Sequence, residues 1–198
     1  MRTGVFGGTF NPVHNGHIKL AQTYLCALQL DRLLVIPTHV PPHKTNAQLI
    51  DGAYRLEMCR LAFADTPVCQ VSDIEVNRSY KSYTVDTLEQ LKLQSPQDEL
   101  YLIMGSDMFE TLTEWYRWER IIELAVICAG AREPNLREKL ELHLTKLEAL
   151  GARCKLVELE PVVVSSTEVR ERVRSGQEIR SLVPAAVADY IAQNKLYQ

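Results

Sequence analysis

The chain has 198 residues, 46% of them hydrophobic, which is enough for one well-buried core and close to the commonest single-domain size. Lys+Arg 22 against Asp+Glu 25 leave a formal net charge of -3. That balance excludes a broad basic surface for nucleic acid or anionic membrane, so an anionic ligand has to be held locally.

In chain order, the N-terminal MRTGVFGG lacks the apolar run of a signal peptide and holds a first β-rich segment, 3–6. A glycine turn leads into a helical pattern over 17–28 and a strand over 33–37. A long irregular connection, 38–52, precedes a helix over 54–64 and a strand over 68–71. A second such connection, 73–84, precedes a helix over 85–94, a strand over 100–104 and a short helix over 107–112. Then come a strand over 125–128, a charged amphipathic helix over 136–150, a strand over 155–159 and helices over 167–175 and 184–194. Such alternation predicts a Rossmann-like, doubly wound α/β fold, its sheet mainly parallel with helices on both faces. Residues 1–198 are expected to form one domain, whose C-terminal helical part begins near 165.

No stretch reaches the length of a membrane-spanning helix. The cysteines, Cys26, Cys59, Cys69, Cys128 and Cys154, are odd in number, dispersed and never spaced CxxC. This argues against a disulfide framework and for a reducing compartment, so the expectation is a cytoplasmic protein without nucleic-acid or membrane partners. A homo-oligomer is left open.

The chemistry is expected in the connections that follow strands, where open α/β sheets build their sites. GVFGGTFNPVHNGH, residues 4–17, places Gly7-Gly8 after the first strand and His14, Gly16 and His17 at the start of a helix. Glycines allow close backbone approach, and a turn feeding a helix N-terminus suits an anion, with phosphate the natural guest. The spacing fits neither GxGxxG nor the Walker loop. His14 and His17, three apart on one turn, bring two imidazoles to the same side, where they could stabilise charge on a phosphorus undergoing in-line transfer. Two other readings remain for these histidines: an ordinary capped helix start, and a zinc site completed by His39 and His43.

GGTFNPVHNGH resembles the HxGH segment of the nucleotidyltransferase superfamily. Together with HVPPHK at 39–44, SYTVDTL at 82–88, GSDMFETLTEWYRWERI at 105–121 and VSSTEVR at 164–170, the chain resembles the bacterial nicotinate-nucleotide adenylyltransferases over nearly its whole length. The resemblance implies transfer of AMP from ATP to nicotinate mononucleotide by direct in-line attack, without a covalent intermediate. The products are nicotinate adenine dinucleotide and pyrophosphate, a step in making NAD, with Mg2+ bound mainly through the ATP phosphates.

His14, His17, Lys44 and Arg170 are the candidate catalytic residues. Lys44 closes a proline-rigid loop and offers a point charge, while Ser165-Ser166-Thr167 ahead of a helix through Arg170 forms a second anion site. ATP and its phosphates are assigned to Gly7, Gly8, Thr9, Phe10, Gly16, Gly105, Asp107, Ser165, Ser166 and Thr167, with Asp107 suited to ribose hydroxyls at a strand end. The resemblance further implies that Trp115 stacks on the nicotinate ring and that the backbone amides of Thr84 and Tyr116 receive its carboxylate, with Trp118 left to packing. No residue is assigned to a protein-bound metal. Three positions differ from the usual pattern: Asn11, which preserves the turn, Tyr80 before SYT, and Val164 before SST. A sister enzyme with another acceptor, such as pantetheine phosphate, and a non-catalytic nucleotide-binding module are the alternatives.

Overall fold

The computed structural model describes residues 1–39, 49–78, 81–131, 134–160 and 164–198. Its elements are β1 (Arg2–Gly8), α1 (Asn15–Ala27), β2 (Arg32–Pro37), α2 (Gly52–Phe63), β3 (Cys69–Val71), α3 (Thr84–Gln94), β4 (Glu99–Met104), α4 (Ser106–Glu110), a 3-10 turn (Leu112–Glu114), α5 (Trp118–Leu124), β5 (Ala125–Ala131), α6 (Pro134–Ala149), β6 (Cys154–Glu158), α7 (Ser166–Arg174) and α8 (Ala185–Gln193). The strands form one six-stranded sheet in the order β3-β2-β1-β4-β5-β6. β1 pairs parallel with β4 from Arg2–Glu99 to Phe6–Ile103, β4 with β5, and β5 with β6. The predicted Rossmann-like α/β fold is the one observed, with strand limits within three residues of those read from sequence.

The chain divides into two compact units. Unit 1 comprises 1–7, 23–34 and 83–161. Its strand β5, AVICAGA, paired on both sides, is buried at all seven positions, as expected of a parallel strand covered on both faces, where an unbroken apolar run replaces alternation. The strand starts are tied together by Asp98, which is 7% exposed. Its carboxylate accepts from Thr3 Oγ1 at 2.8 Å and Arg32 Nη2 at 2.8 Å, and pairs with the Met1 ammonium at 3.3 Å. Burial pushes this carboxyl up, but the hydrogen bonds from Thr3, the amino terminus and Arg32 outweigh burial and hold it below its ordinary range. Helix α5 was not anticipated. It spans only seven residues, less than two turns, and starts after Arg117 in the left-handed region (φ 53°), so too few periods exist to read.

Unit 2 comprises 8–22, 35–82 and 162–198. Asp51 caps α2 by accepting from the Ala53 amide at 2.8 Å, and α2 packs on α8, with the Tyr54 and Tyr190 rings 6.4 Å apart. Its core gathers Val13, Met58, Phe63, Val169, Val187 and Ile191, all buried.

Candidate functional site

In unit 2 the site starts at the end of β1. The carbonyl of Gly8 accepts from both the amide and the hydroxyl of Thr38, each at 2.9 Å. Two residues on, Phe10 adopts a left-handed backbone (φ 45°), a conformation that costs a non-glycine residue roughly 1–2 kcal/mol. This bend folds the ring, 2% exposed, back over Gly8, where an added Cβ would meet it at 2.8 Å. Only glycine fits there. The Phe10 ring also meets His17 in an edge-to-face contact, with centroids 5.0 Å apart.

His14 ends the turn, and its carbonyl accepts from the His17 amide at 2.9 Å as α1 begins. The two imidazoles lie together, centroids 3.7 Å apart, so the three-residue spacing does bring them to one place. The His14 backbone amide donates to His17 Nδ1 at 3.2 Å. With Nδ1 accepting, the proton of a neutral ring sits on Nε2, which makes His17 a hydrogen-bond donor. Burial, then the neighbouring His14, pushes the His17 pKa down to about 3, so the ring is neutral near pH 7. Gly16 is buried in the first turn of α1.

Helix α7 is fastened to the same turn. Ser165 Oγ caps it, accepting from the Glu168 amide at 3.1 Å, and Ser166 Oγ donates to the Pro12 carbonyl at 2.8 Å. Arg170 donates through Nη1 to the Asn11 carbonyl at 2.8 Å and through Nη2 to Thr167 Oγ1 at 3.1 Å. Its Nε is buried without a partner among the described residues. Tyr197 Oη donates to Asn11 Oδ1 at 3.0 Å. Unit 2 therefore unites the HxGH turn with the SSTEVR helix. Ser166 and Arg170 hold the turn's main chain, a role additional to the phosphate contact expected of them.

In unit 1, Gly7 is exposed near the end of β1. Gly105 is the extended residue before α4, and Asp107 curls back so that its Oδ1 would lie 2.6 Å from a Cβ at Gly105. The Asp107 side chain is exposed, free to accept hydrogen bonds from outside the chain. Thr84 is the first residue of α3, where backbone amides lack intrahelical partners. Trp115 follows the 3-10 turn in an extended conformation and is half-buried; Tyr116 is 58% exposed and lies 4.8 Å from the Tyr83 ring. Arg117 grips Glu89 of α3 through both terminal nitrogens, at 3.2 and 2.9 Å, which ties the Trp115-Tyr116 segment to the helix begun by Thr84. Trp118, expected in packing, is half-buried at the start of α5.

Lys44, His43 and Tyr80 lie outside the described residues. His39 is described: its amide donates to Ser82 Oγ at 3.4 Å. Among the described residues no three His, Cys, Asp or Glu side chains gather as they would to hold a metal ion. Val164 is half-buried. Sequence reasoning missed Arg55, whose guanidinium donates to the Thr9 carbonyl at 2.8 Å, and Tyr197. Neither carries a local signal: one reads as a charged helix position, the other as a tail aromatic.

The cytidylyltransferase-like family profile matches residues 5–172. A Geobacillus thermodenitrificans protein named "Probable nicotinate-nucleotide adenylyltransferase" is 41% identical over 99% of this chain and 86% of its own length. A Dehalococcoides mccartyi protein of the same name is 40% identical over 100% of this chain and 97% of its own. Among solved structures, Plasmodium falciparum nicotinic acid mononucleotide adenylyltransferase complexed with NaAD superposes with a TM-score of 0.76 at 18% identity, covering 99% of this chain and 97% of that one, which bears on the fold. With the HxGH turn and the SSTEVR helix joined as described, the chain belongs to the nicotinate-nucleotide adenylyltransferase family of cytidylyltransferase-like nucleotidyltransferases.

Proposed function

We propose that this enzyme transfers AMP from ATP to nicotinate mononucleotide, giving nicotinate adenine dinucleotide and pyrophosphate in the cytoplasmic synthesis of NAD. The observation that carries the reading is the neutral, donor-oriented His17 against His14 on a glycine turn fastened by Arg170. An in-line displacement at phosphorus needs positioning and donors aimed at developing charge more than covalent chemistry. The acceptor's phosphate, with a second pKa of about 6, is largely dianionic at pH 7 and attacks the α-phosphorus without a base. The bond to the β-phosphate oxygen breaks and pyrophosphate leaves.

In this mechanism His14 and His17 donate to the α-phosphate oxygens, and Lys44 and Arg170 neutralise the leaving phosphates. Gly7, Gly8, Thr9, Phe10 and Gly16 shape the turn on which the phosphates lie, with Ser165, Ser166 and Thr167 at the start of α7. Asp107 accepts from the ATP ribose beside Gly105. Trp115 stacks on the pyridine ring, and the amides of Thr84 and Tyr116 receive its carboxylate. Mg2+ would be bound mainly through the ATP phosphates, where it would neutralise their charge. We read residues 1–198 as one catalytic domain, the part from about 165 carrying the SSTEVR element.

The test is pyrophosphate release with ATP and Mg2+ and each of three acceptors: nicotinate mononucleotide, nicotinamide mononucleotide and pantetheine phosphate. Release with the nicotinate acceptor is expected. Release only with another acceptor would replace the substrate, and ATP binding without release from any would leave a binding module. His17→Ala should keep the fold and lose about 10²-fold or more in kcat, the scale set by removing one charge-stabilising donor; near-normal turnover would remove His17 from the mechanism.

A further inference from the structure

Arg55, in the first turn of α2, is 1% exposed. Its guanidinium makes four hydrogen bonds, all to main-chain carbonyls: Nε to Ile50 at 3.1 Å, Nη1 to Thr9 at 2.8 Å and Thr38 at 2.6 Å, and Nη2 to His39 at 2.9 Å. No carboxylate is paired with it among the described residues. Burying a cation without a counter-ion costs several kcal/mol, whereas an apolar side chain could fill the same space without that penalty. What an apolar side chain could not do is satisfy four loop carbonyls at once. The planar fork also fixes their directions.

The bond to Thr9 matters most. A trans peptide is planar, so a carbonyl turned inward toward Arg55 sends the N–H of the next residue the opposite way. Arg55 thus orients the Thr9–Phe10 peptide, directly before the left-handed Phe10 whose ring packs on Gly8 and meets His17. The same logic holds at Thr38, where the carbonyl meets Arg55 and the following His39 amide points to Ser82. One side chain therefore sets two peptide planes in separate chain segments, at the glycine turn and just past β2.

We propose that Arg55 is a positioning residue for the transfer reaction, holding the glycine turn at Thr9 against Thr38, His39 and Ile50 so that Phe10 and His17 keep the arrangement the reaction needs. The proposal rests on the function argued above. It acts through main chain, without touching substrate.

The experiment compares wild type, Arg55→Lys and a control, Leu147→Ala, whose loss of a fully buried side chain lowers stability in unit 1, whereas Arg55 and the turn belong to unit 2. Arg55→Lys keeps the charge and loses the fork. Its kcat should fall roughly tenfold or more while KM for nicotinate mononucleotide stays within about threefold, because the lost function is placement of the reacting phosphates. Amide hydrogen exchange at Phe10 and His39 should quicken by about tenfold, while Leu147→Ala keeps kcat within about twofold at an equal or larger drop in Tm. Arg55→Met, with no donors, should lose at least as much; should it fail to fold, Arg55→Lys still decides. Wild-type kcat and exchange in Arg55→Lys, or an equal kcat loss in Leu147→Ala, overturns the proposal. A wild-type protein that makes no dinucleotide would sink the function instead, and the exchange at Phe10 would then decide whether Arg55 holds the turn.

Discussion

At the scale of single residues, His17 couples the site to pH. In the unfolded chain its imidazole takes up a proton near 6.5, whereas in the fold burial, then His14, delays uptake to about 3. Between these values the unfolded state binds more protons, so stability rises with pH and is lost on acidification below 6.5, by at most about 1.4 kcal/mol per pH unit from this one group. Urea midpoints of the wild type should therefore fall more steeply between pH 6.5 and 4.5 than those of His17→Gln; parallel slopes would mean the ring is not held neutral. Above 6.5 neither state binds the proton and the contribution is flat. Tyr197 offers a second check. Tyr197, 9% exposed, donates through its phenol to Asn11 Oδ1, and Tyr197→Phe should cost about 1 kcal/mol in urea unfolding.

At the scale of elements, α7 combines a cap, a start proposed for the ATP phosphates and a bond to a distant turn. Ser165→Ala removes the cap together with one hydroxyl of the proposed phosphate site and should cost about 1 kcal/mol of stability, with kcat reduced less than in His17→Ala; calorimetry alongside the pyrophosphate assay separates the two. The strands were legible because covered parallel strands are continuous apolar runs, as in LYLIM and AVIC, although β5 runs on to Ala131. The long helix α6 was legible by its period: Leu140 and Leu147, seven apart, are fully buried while Leu142 is 65% exposed. The HxGH turn and the SSTEVR helix start were legible because residue types at fixed spacing carry their chemistry. Their joining through Ser166 and Arg170 was not, since it links positions more than 150 residues apart. Arg55 was hidden for a related reason. Within GAYRLEMCRLAF a cation reads as a solvated helix position, and its burial is set by carbonyls of loops remote in sequence.

At the scale of the whole molecule, burial sorts the thiols. Cys26 is exposed, whereas Cys59, Cys69, Cys128 and Cys154 are buried, and burial pushes their pKa values up, to about 11 for Cys69 and Cys154 and about 12 for Cys128. A thiol-reactive disulfide reagent should therefore titrate one cysteine quickly in the native protein and five in denaturant; several fast thiols in the native protein would contradict this packing. Unit 2, meanwhile, is drawn from 8–22, 35–82 and 162–198. On the ribosome, the glycine turn is made before the partners that hold it. A nascent chain paused before residue 165 has no hydroxyl for Pro12 and no guanidinium for Asn11, and one paused before 197 still lacks the phenol that meets the Asn11 amide. The glycine turn thus gains these three contacts only after more than 150 further residues have been made.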